Sequence, residues 1–191
     1  MFTYDGSQTA PVNAGTYAVV GNYLGSANYL AGSANATLTI GKATPSVAVN
    51  GGTFTYDGTS HPATGSITGV NGPLLGPLTF TYNGSSDEPV TPGTYNVVAS
   101  YAGDANYLAA SGSGTVVINK AMPTVTAAGG TFTYDGAAHA ASGTATGIGG
   151  ENLGPLTFTY NSGSQLPLNA GTYAVVASFA GNENYASASG N

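Results

Sequence analysis

The sequence predicts an all-β protein that consists of tandem β-sandwich domains, and three observations support this fold class. The sequence repeats itself with a period of 78 residues. Within each copy, apolar and polar residues alternate with the two-residue period of strands that bury one face. Turn-forming residues such as Asp-Gly, Asn-Gly and Pro separate these runs at intervals of about ten residues. No window shows helical periodicity, so we expect strands and turns throughout.

The repeat is regular. A Gly-Thr-Tyr motif begins at Gly15 and returns at Gly93 and Gly171, each time 78 residues after the previous one. A fixed period of this kind indicates tandem copies of one folded domain. The same spacing relates several further sets of residues, namely Phe2, Phe80 and Phe158, then Asn28, Asn106 and Asn184, then Lys42 and Lys120, and His61 and His139.

The repeat boundaries are predicted at a recurring joint, Gly41–Pro45 and its copy Asn119–Pro123. A strand-like run ends there, and a proline forces the residue before it to be extended. Residues 1–41 are then the C-terminal part of one repeat, 42–119 are a complete repeat, and 120–191 are a repeat that lacks its last strand. We expect the chain to be a piece of a longer repeat protein.

Within the complete repeat, the clearest strand lies in the run that begins at Gly93. One face of this run carries apolar and aromatic residues, which are Tyr95, Val97, Ala99 and Tyr101. Asn96 and Ser100 lie on the other face, as expected of a half-buried strand. Shorter predicted strands are Ser46–Asn50, Thr53–Tyr56, Ser66–Val70, Leu78–Tyr82 and Thr115–Ile118. About six or seven short strands per repeat predict an immunoglobulin-like β-sandwich, although the usual Cys and Trp are absent.

The turns and the aromatic residues have structural explanations. The sequence predicts tight hairpin turns at Asp57-Gly58, at its presumed copies Asp5-Gly6 and Asp135-Gly136, and at Asn83-Gly84, because these dipeptides tolerate positive φ. Phe54 and Tyr56 project to one side of their strand. The 13 Tyr and 6 Phe are expected to supply core mass that Leu and Ile would supply elsewhere.

The composition excludes several function classes. The chain has 8 Asp and Glu residues, only two lysines and no arginine, with a formal net charge of −6. A basic surface for nucleic acid or anionic lipid is therefore excluded. Because there is no cysteine, disulfides and thiolate metal sites are excluded too. No signal peptide and no uninterrupted apolar stretch long enough for a membrane helix is found, so membrane insertion is not expected.

Three motifs carry a resemblance to a known class of proteins: the run Gly93–Tyr107 with its copies, the Lys-Ala-x-Pro joint, and Thr53–Gly58. Together they resemble the bacterial immunoglobulin-like tandem repeats of large secreted and cell-surface proteins, adhesins in particular. The resemblance covers essentially the whole chain. It implies an exported protein, no cofactor and no catalytic residue. The repeat signature consists of Phe54, Tyr56, Asp57, Gly58, Gly93, Tyr95, Tyr101, Asn106 and Tyr107.

Candidate chemical sites are weak. The loop Gly103–Asn106 contains oxygen ligands that calcium prefers, but its copies do not keep the carboxylate, so a turn stabilised by the shared Asn is favoured. His61 and His139 have no recurring partners that would make a metal or nucleophile site. The two lysines suggest Lys-Asn isopeptide crosslinks only weakly, because they lie at the joints rather than within a strand.

These observations favour a non-catalytic structural or adhesive spacer in an exported bacterial surface protein. The alternative is a self-assembling filament subunit, because strand donation between chains would complete the last repeat. Its donor segment would be Thr37, Leu38, Thr39 and Ile40. A carbohydrate-binding module is the third interpretation. The expected partners are neighbouring repeats or copies of the chain itself, with a surface glycan or a host protein as further candidates.

Overall fold

A computed structural model describes all 191 residues and is all-β, which confirms the predicted fold class. It contains no helix that is long and apolar enough to span a membrane. The strands in chain order are β1 (Phe2–Tyr4), β2 (Gly15–Tyr23), β3 (Gly32–Ile40), β4 (Ser46–Asn50), β5 (Gly52–Thr55), β6 (Thr64–Thr68), β7 (Thr79–Tyr82), β8 (Gly93–Tyr101), β9 (Ala110–Asn119), β10 (Thr124–Ala128), β11 (Ser142–Thr146), β12 (Thr157–Tyr160), β13 (Val175–Phe179) and β14 (Ala188–Gly190).

The chain divides into two compact units. The first unit comprises Met1–Asn50, Ala63–Ser86 and Asn96–Gly114, and the second comprises Gly51–Pro62, Asp87–Tyr95 and Thr115–Asn191. The first unit therefore holds β1 to β4, β6 and β7, and the second holds β5 and β10 to β14. Strands β8 and β9 each contribute residues to both units.

The first unit contains an antiparallel sheet in the order β1-β2-β3. Its central strand β2 pairs along its whole length with β3, with Tyr17 opposite Leu38. Strand β3 is the edge of this sheet and is almost entirely exposed. A second antiparallel pair joins β4 to β6, with Val47 opposite Ile67.

Glycines allow β4 and β9 to approach closely inside the first unit. A Cβ on Gly112 would lie 2.9 Å from the Val47 carbonyl oxygen, and one on Gly114 would lie 2.9 Å from Val49 Cγ1. Any other residue would push these strands apart, since real Cβ contacts are longer. The two layers of the sandwich meet here.

A four-stranded sheet in the order β5-β9-β8-β7 forms the other layer of the complete repeat. Strand β5 pairs in parallel with β9, with Gly52 opposite Val116 and Thr55 opposite Asn119. The predicted alternation along β8 is confirmed, because Val97 and Ala99 have no exposed surface while Asn96 is exposed. A fully buried aliphatic side chain such as Val97 contributes about 1.5–3 kcal/mol to folding.

The second unit has the same layered construction. Strands β10 and β11 form one antiparallel pair, and β12-β13-β14 form an antiparallel sheet. Its buried cluster consists of Ala121, Ala145, Phe179 and Tyr185, with Tyr56, Val125, Leu153 and Leu156 packed around it. Two aromatic rings thus lie among small residues, as the composition predicted. Phe54 and Tyr56, however, are only half-buried rather than central core residues.

A tyrosine corner recurs at the start of each Gly-Thr-Tyr strand. The hydroxyl of Tyr95 donates to the carbonyl oxygen of Thr91 at 2.8 Å. Its counterparts Tyr17 and Tyr173 donate to Asn13 at 2.9 Å and to Asn169 at 3.0 Å. This bond to the backbone a few residues upstream is a hallmark of immunoglobulin-like sandwiches. It explains why the motif recurs without any ligand.

The turn prediction was correct for one class of dipeptide and wrong for the other. Asp5-Gly6 and Asn83-Gly84 have positive φ at both positions, and Tyr82 and Ser85 close the second turn with two backbone hydrogen bonds. At Asp57-Gly58 only the glycine has positive φ, and the Asp57 carboxylate accepts the Thr59 N–H instead.

Asp57-Gly58 and its copy Asp135-Gly136 are therefore not hairpin turns. By the period, Asp5-Gly6 is the counterpart of Asn83-Gly84 and not of Asp57-Gly58. The physical reason is the partner of the preceding strand: β5 pairs with β9, so no strand follows the turn back along β5.

Candidate functional site

Each joint is fastened to a loop of the repeat that it opens. At the first joint, Lys42 Nζ donates to the backbone oxygen of Asp104 at 2.6 Å. The Ala43 N–H donates to the oxygen of Asn106, and the Leu108 N–H donates to the oxygen of Ala43, both at 2.9 Å. The lysine thus meets a carbonyl oxygen, so its position here serves a hydrogen bond rather than the isopeptide crosslink considered from the sequence.

The second joint repeats this arrangement. Lys120 Nζ donates to the backbone oxygen of Asn182 at 2.6 Å. The Ala121 N–H donates to Asn184 at 3.0 Å, and the Ala186 N–H donates to Ala121 at 2.9 Å. Ala121 is only 2% exposed, so a larger side chain would not fit. The joint is consequently a folded part of the domain and not a free linker.

The shared asparagine of the loop contacts the preceding repeat. The Ala14 N–H donates to Asn106 Oδ1 at 2.9 Å, and Asn106 Nδ2 donates to Asn13 Oδ1 at 3.2 Å. Residues 13 and 14 precede the joint by almost thirty positions, and in the predicted division they belong to the first repeat. Asn106 is therefore an inter-repeat clamp rather than the stabiliser of its own turn.

Asp104 closes the loop instead. Its Oδ1 accepts the N–H groups of Asn106 and Tyr107, both at 2.8 Å, and its Oδ2 accepts the Tyr101 hydroxyl at 2.8 Å. The Tyr101 hydrogen bond, followed by the backbone bonds, holds the pKa of Asp104 below its usual value. Burial, with the Asp104 bond second, raises the pKa of Tyr101. The carboxylate is thus occupied by partners within the loop.

The second joint differs from the first at one position. By the period, Pro92 stands where the first joint has Ala14, and proline has no N–H to donate. Asn184, the counterpart of Asn106, has a buried Oδ1 without a hydrogen-bond partner. An aromatic contact is present nearby in sequence, because the Tyr185 ring packs edge-on to Tyr56 with centroids 5.7 Å apart.

The tyrosine that follows this asparagine anchors a second loop. The Tyr107 hydroxyl accepts the Val70 N–H at 3.0 Å, and the Tyr185 hydroxyl accepts the Ile148 N–H at 3.1 Å. Tyr185 also donates to the Glu151 carboxylate. Burial, followed by this bond, raises the pKa of Tyr185, while the same bond is the main cause that lowers the pKa of Glu151.

The histidines pack on the phenylalanines of the repeat signature. His61 stacks on Phe54 with centroids 4.5 Å apart, and its Nε2 lies 3.2 Å from Asp57 Oδ1. His139 stacks on Phe132 at 4.3 Å. Hydrogen bonds from Thr59 are the largest cause of the lowered pKa of Asp57. Nowhere does the structure group three His, Asp or Glu side chains as a metal site would require.

A groove of about 370 Å³ lies within the second unit. One wall is Gly129–Tyr134, and the opposite wall runs from Pro167 to Tyr173. Gly130–Thr133 is the counterpart of β5 but is not a strand, and no strand pairs with it. Phe132 and Tyr134 are accordingly 56% and 65% exposed.

The predicted donor segment lies at the end of β3. Thr37–Ile40 pairs with Gly15–Ala18 of β2 on one side. On the other side β3 has no strand neighbour, because it stands at the end of the sheet order. The structure thus presents a free strand edge in the first unit and an open groove in the second.

Sequence reasoning missed two features of this site. The tyrosine corner needed the Gly-Thr-Tyr motif to be considered together with the residue four positions before its tyrosine. The clamp needed Asn13 and Asn106 to be considered as a pair, and both recur, as Asn169 and Asn184. Co-recurrence of distant polar residues is the signal that could have found it.

Comparison with known proteins assigns the chain to a family. No curated protein and no solved structure matches it. The family model of the MBG domain matches three consecutive segments, which are residues 1–44, 46–122 and 123–191. The resemblance to tandem bacterial repeat domains is thereby confirmed, and the chain belongs to the MBG domain family.

Proposed function

We propose that the chain is a structural spacer of an exported bacterial surface protein, and that it has no catalytic activity. One observation carries this proposal: the joint between repeats is hydrogen-bonded structure that recurs with the repeat period. Asn106 links residues 13 and 14 to the loop that holds Lys42. Such a joint limits flexing between neighbours, so each added repeat extends the distance that the array spans.

A deletion of one full period tests the spacer role. Removing residues 42–119 joins Gly41 to Lys120 and leaves a Lys-Ala joint at the fusion. A set of chains with zero, one or two copies of 42–119, displayed on cells with a terminal epitope, should fold equally well. We expect antibody-coated beads to reach the epitope more readily with each added copy. Equal accessibility in all three chains would contradict a spacer role.

Surface exposure needs its own test. Antibodies raised against the chain should label intact cells of the source bacterium. Labelling that requires permeabilised cells would contradict the proposed location, whatever the outcome of the deletion series. A ligand-binding role is a separate possibility that exposed aromatic residues such as Tyr29 support, since aromatic rings stack on sugars. A glycan array probed with the chain and with Tyr29→Ala tests this third candidate.

Self-assembly by strand donation is the second candidate function. The groove along Gly130–Thr133 and the free edge of β3 favour it, because an unpaired edge and an open groove are complementary. Self-assembly is compatible with a spacer, since donation between copies would extend the array. Light scattering at increasing concentration should show oligomers, whereas a constant monomer mass would contradict this candidate.

A further inference from the structure

The chain contains a filled version of its own groove. In the complete repeat, Val116–Asn119 of β9 lies in parallel against Gly52–Thr55 of β5. The residues 78 positions after β5 are Gly130–Thr133, with the identical sequence Gly-Thr-Phe-Thr. The filled site shows what this sequence binds when it is paired: one extended strand with the sequence Val-Val-Ile-Asn.

The opposite wall of the groove also has a known partner. Gly171–Ala174 has the sequence Gly-Thr-Tyr-Ala, which is identical to Gly15–Ala18. In the first unit, Gly15–Ala18 pairs in antiparallel fashion with Thr37–Ile40. Both walls therefore match one segment: its cognate antiparallel partner recurs on one side, and the cognate parallel partner of its counterpart in β9 recurs on the other.

We propose that the groove binds residues Thr37–Gly41 of a second copy of this chain. The register follows from the filled site, with Leu38 opposite Gly130, Thr39 opposite Thr131, Ile40 opposite Phe132 and Gly41 opposite Thr133. This proposal deepens the self-assembly candidate by naming its partner and register. It does not depend on the spacer role.

The exchange is energetically favourable for a simple reason. The donor segment gives up pairing with Gly15–Ala18 and gains the same pairing with Gly171–Ala174, so these hydrogen bonds are replaced like for like. The parallel pairing with Gly130–Thr133 and the burial of Leu38 and Ile40 are additional. Neither wall of the groove and no residue of Thr37–Gly41 is charged, so no charge loses water. Domain swapping of this kind is a low-cost route to assembly.

Disulfide trapping tests the register, because the chain has no cysteine of its own. Adjacent strands lie about 4.8 Å apart, which is within disulfide range. A Thr39→Cys chain mixed with a Thr131→Cys chain should form a crosslinked heterodimer under mild oxidation. In the control mixture, Thr39→Cys with Thr126→Cys on β10, this product should be absent. Thr53→Cys with Val117→Cys in one chain is the positive control, because these residues are paired in the structure.

A competing strand tests the groove itself. The sequence of Gly114–Asn119, Gly-Thr-Val-Val-Ile-Asn, attached directly after Asn191, places each residue 78 positions after its original. This extension should abolish the crosslink and leave a monomer. A matched extension, Gly-Thr-Pro-Val-Pro-Asn, should leave the crosslink intact, because proline removes ladder hydrogen bonds.

The outcomes separate this proposal from self-assembly in general. Oligomers that form without a crosslink between the Thr39→Cys and Thr131→Cys chains would overturn the proposed register and leave assembly standing. Monomers at all concentrations would overturn both. A crosslink that survives the Gly-Thr-Val-Val-Ile-Asn extension would overturn the groove as the binding site.

Discussion

The complete repeat and the last repeat contain the same eight residues in two different conformations. Gly51–Gly58 and Gly129–Gly136 are identical in sequence, yet Gly52–Thr55 is a strand and Gly130–Thr133 is not. The visible difference is the partner, because β9 pairs with the first segment and no strand pairs with the second. Strand formation here depends on the neighbouring strand more than on local propensity.

A second pair of segments supports the same lesson. Gly15–Ala18 and Gly171–Ala174 are also identical, but the former lies in β2 and the latter precedes β13 without strand structure. Again only the first has a partner, which is the end of β3. The groove is thus two identical half-sites of known pairing, both open.

The largest predicted effect compares β9, which has neighbours on both sides, with β3, which has one. Ile118→Ala should reduce the free energy of unfolding by about 2–5 kcal/mol, because Ile118 is only 2% exposed and the change leaves a cavity. Its counterpart Ile40→Ala should cost less than about 1 kcal/mol, because Ile40 stands at the free edge. Denaturant unfolding followed by residue-resolved NMR measures both. Equal costs would contradict the assigned difference between the strands.

A smaller effect compares the two joints. Asn106→Ala should cost about 1–3 kcal/mol, because it removes two hydrogen bonds to residues 13 and 14. Asn184→Ala should cost less, because the buried Oδ1 of Asn184 has no partner to lose. In a Pro92→Ala background, which supplies an N–H, the cost of Asn184→Ala should rise.

A double-mutant cycle at Pro92 and Asn184 measures this coupling. A coupling energy of zero would show that Pro92 is not the reason for the unpaired oxygen. A cost of Asn184→Ala equal to that of Asn106→Ala would show that the two joints do not differ.

The smallest effect is a difference in acid sensitivity between the repeats. The folded-state pKa of Asp104 is lowered from 3.8, so its stabilising contribution is present above that value and is lost as the pH falls through the folded pKa. The last repeat has Asn182 and Phe179 in place of Asp104 and Tyr101, and both lack the ionisable pair. Asp104→Asn should therefore flatten the acid loss of stability of residues 42–119 and leave that of 120–191 unchanged. Parallel acid titrations of the wild type and the variant, followed by NMR, would contradict this if they had the same slope.

Most of the fold could be predicted from the sequence, because the alternation along β8 and the repeat period depend only on local order. The strand β4 was predicted with its observed bounds, Ser46–Asn50. The two uses of Asp-Gly could not be separated, because they differ in the partner of the preceding strand and not in the dipeptide. The clamp formed by Asn106 was missed for the same reason, since its partners lie 92 and 93 residues away in sequence.

The central claim is that a partner strand decides whether Gly-Thr-Phe-Thr becomes a strand, and amide hydrogen exchange tests it most directly. The Tyr56 N–H donates to the oxygen of Asn119 at 2.8 Å, and its counterpart is the Tyr134 N–H. In dilute monomeric chain, we predict slow exchange at Tyr56 and fast exchange at Tyr134. After Gly-Thr-Val-Val-Ile-Asn is attached to Asn191, both should exchange slowly. A Tyr134 amide that is already protected in the monomer, or that stays unprotected in the extended chain, would contradict the account.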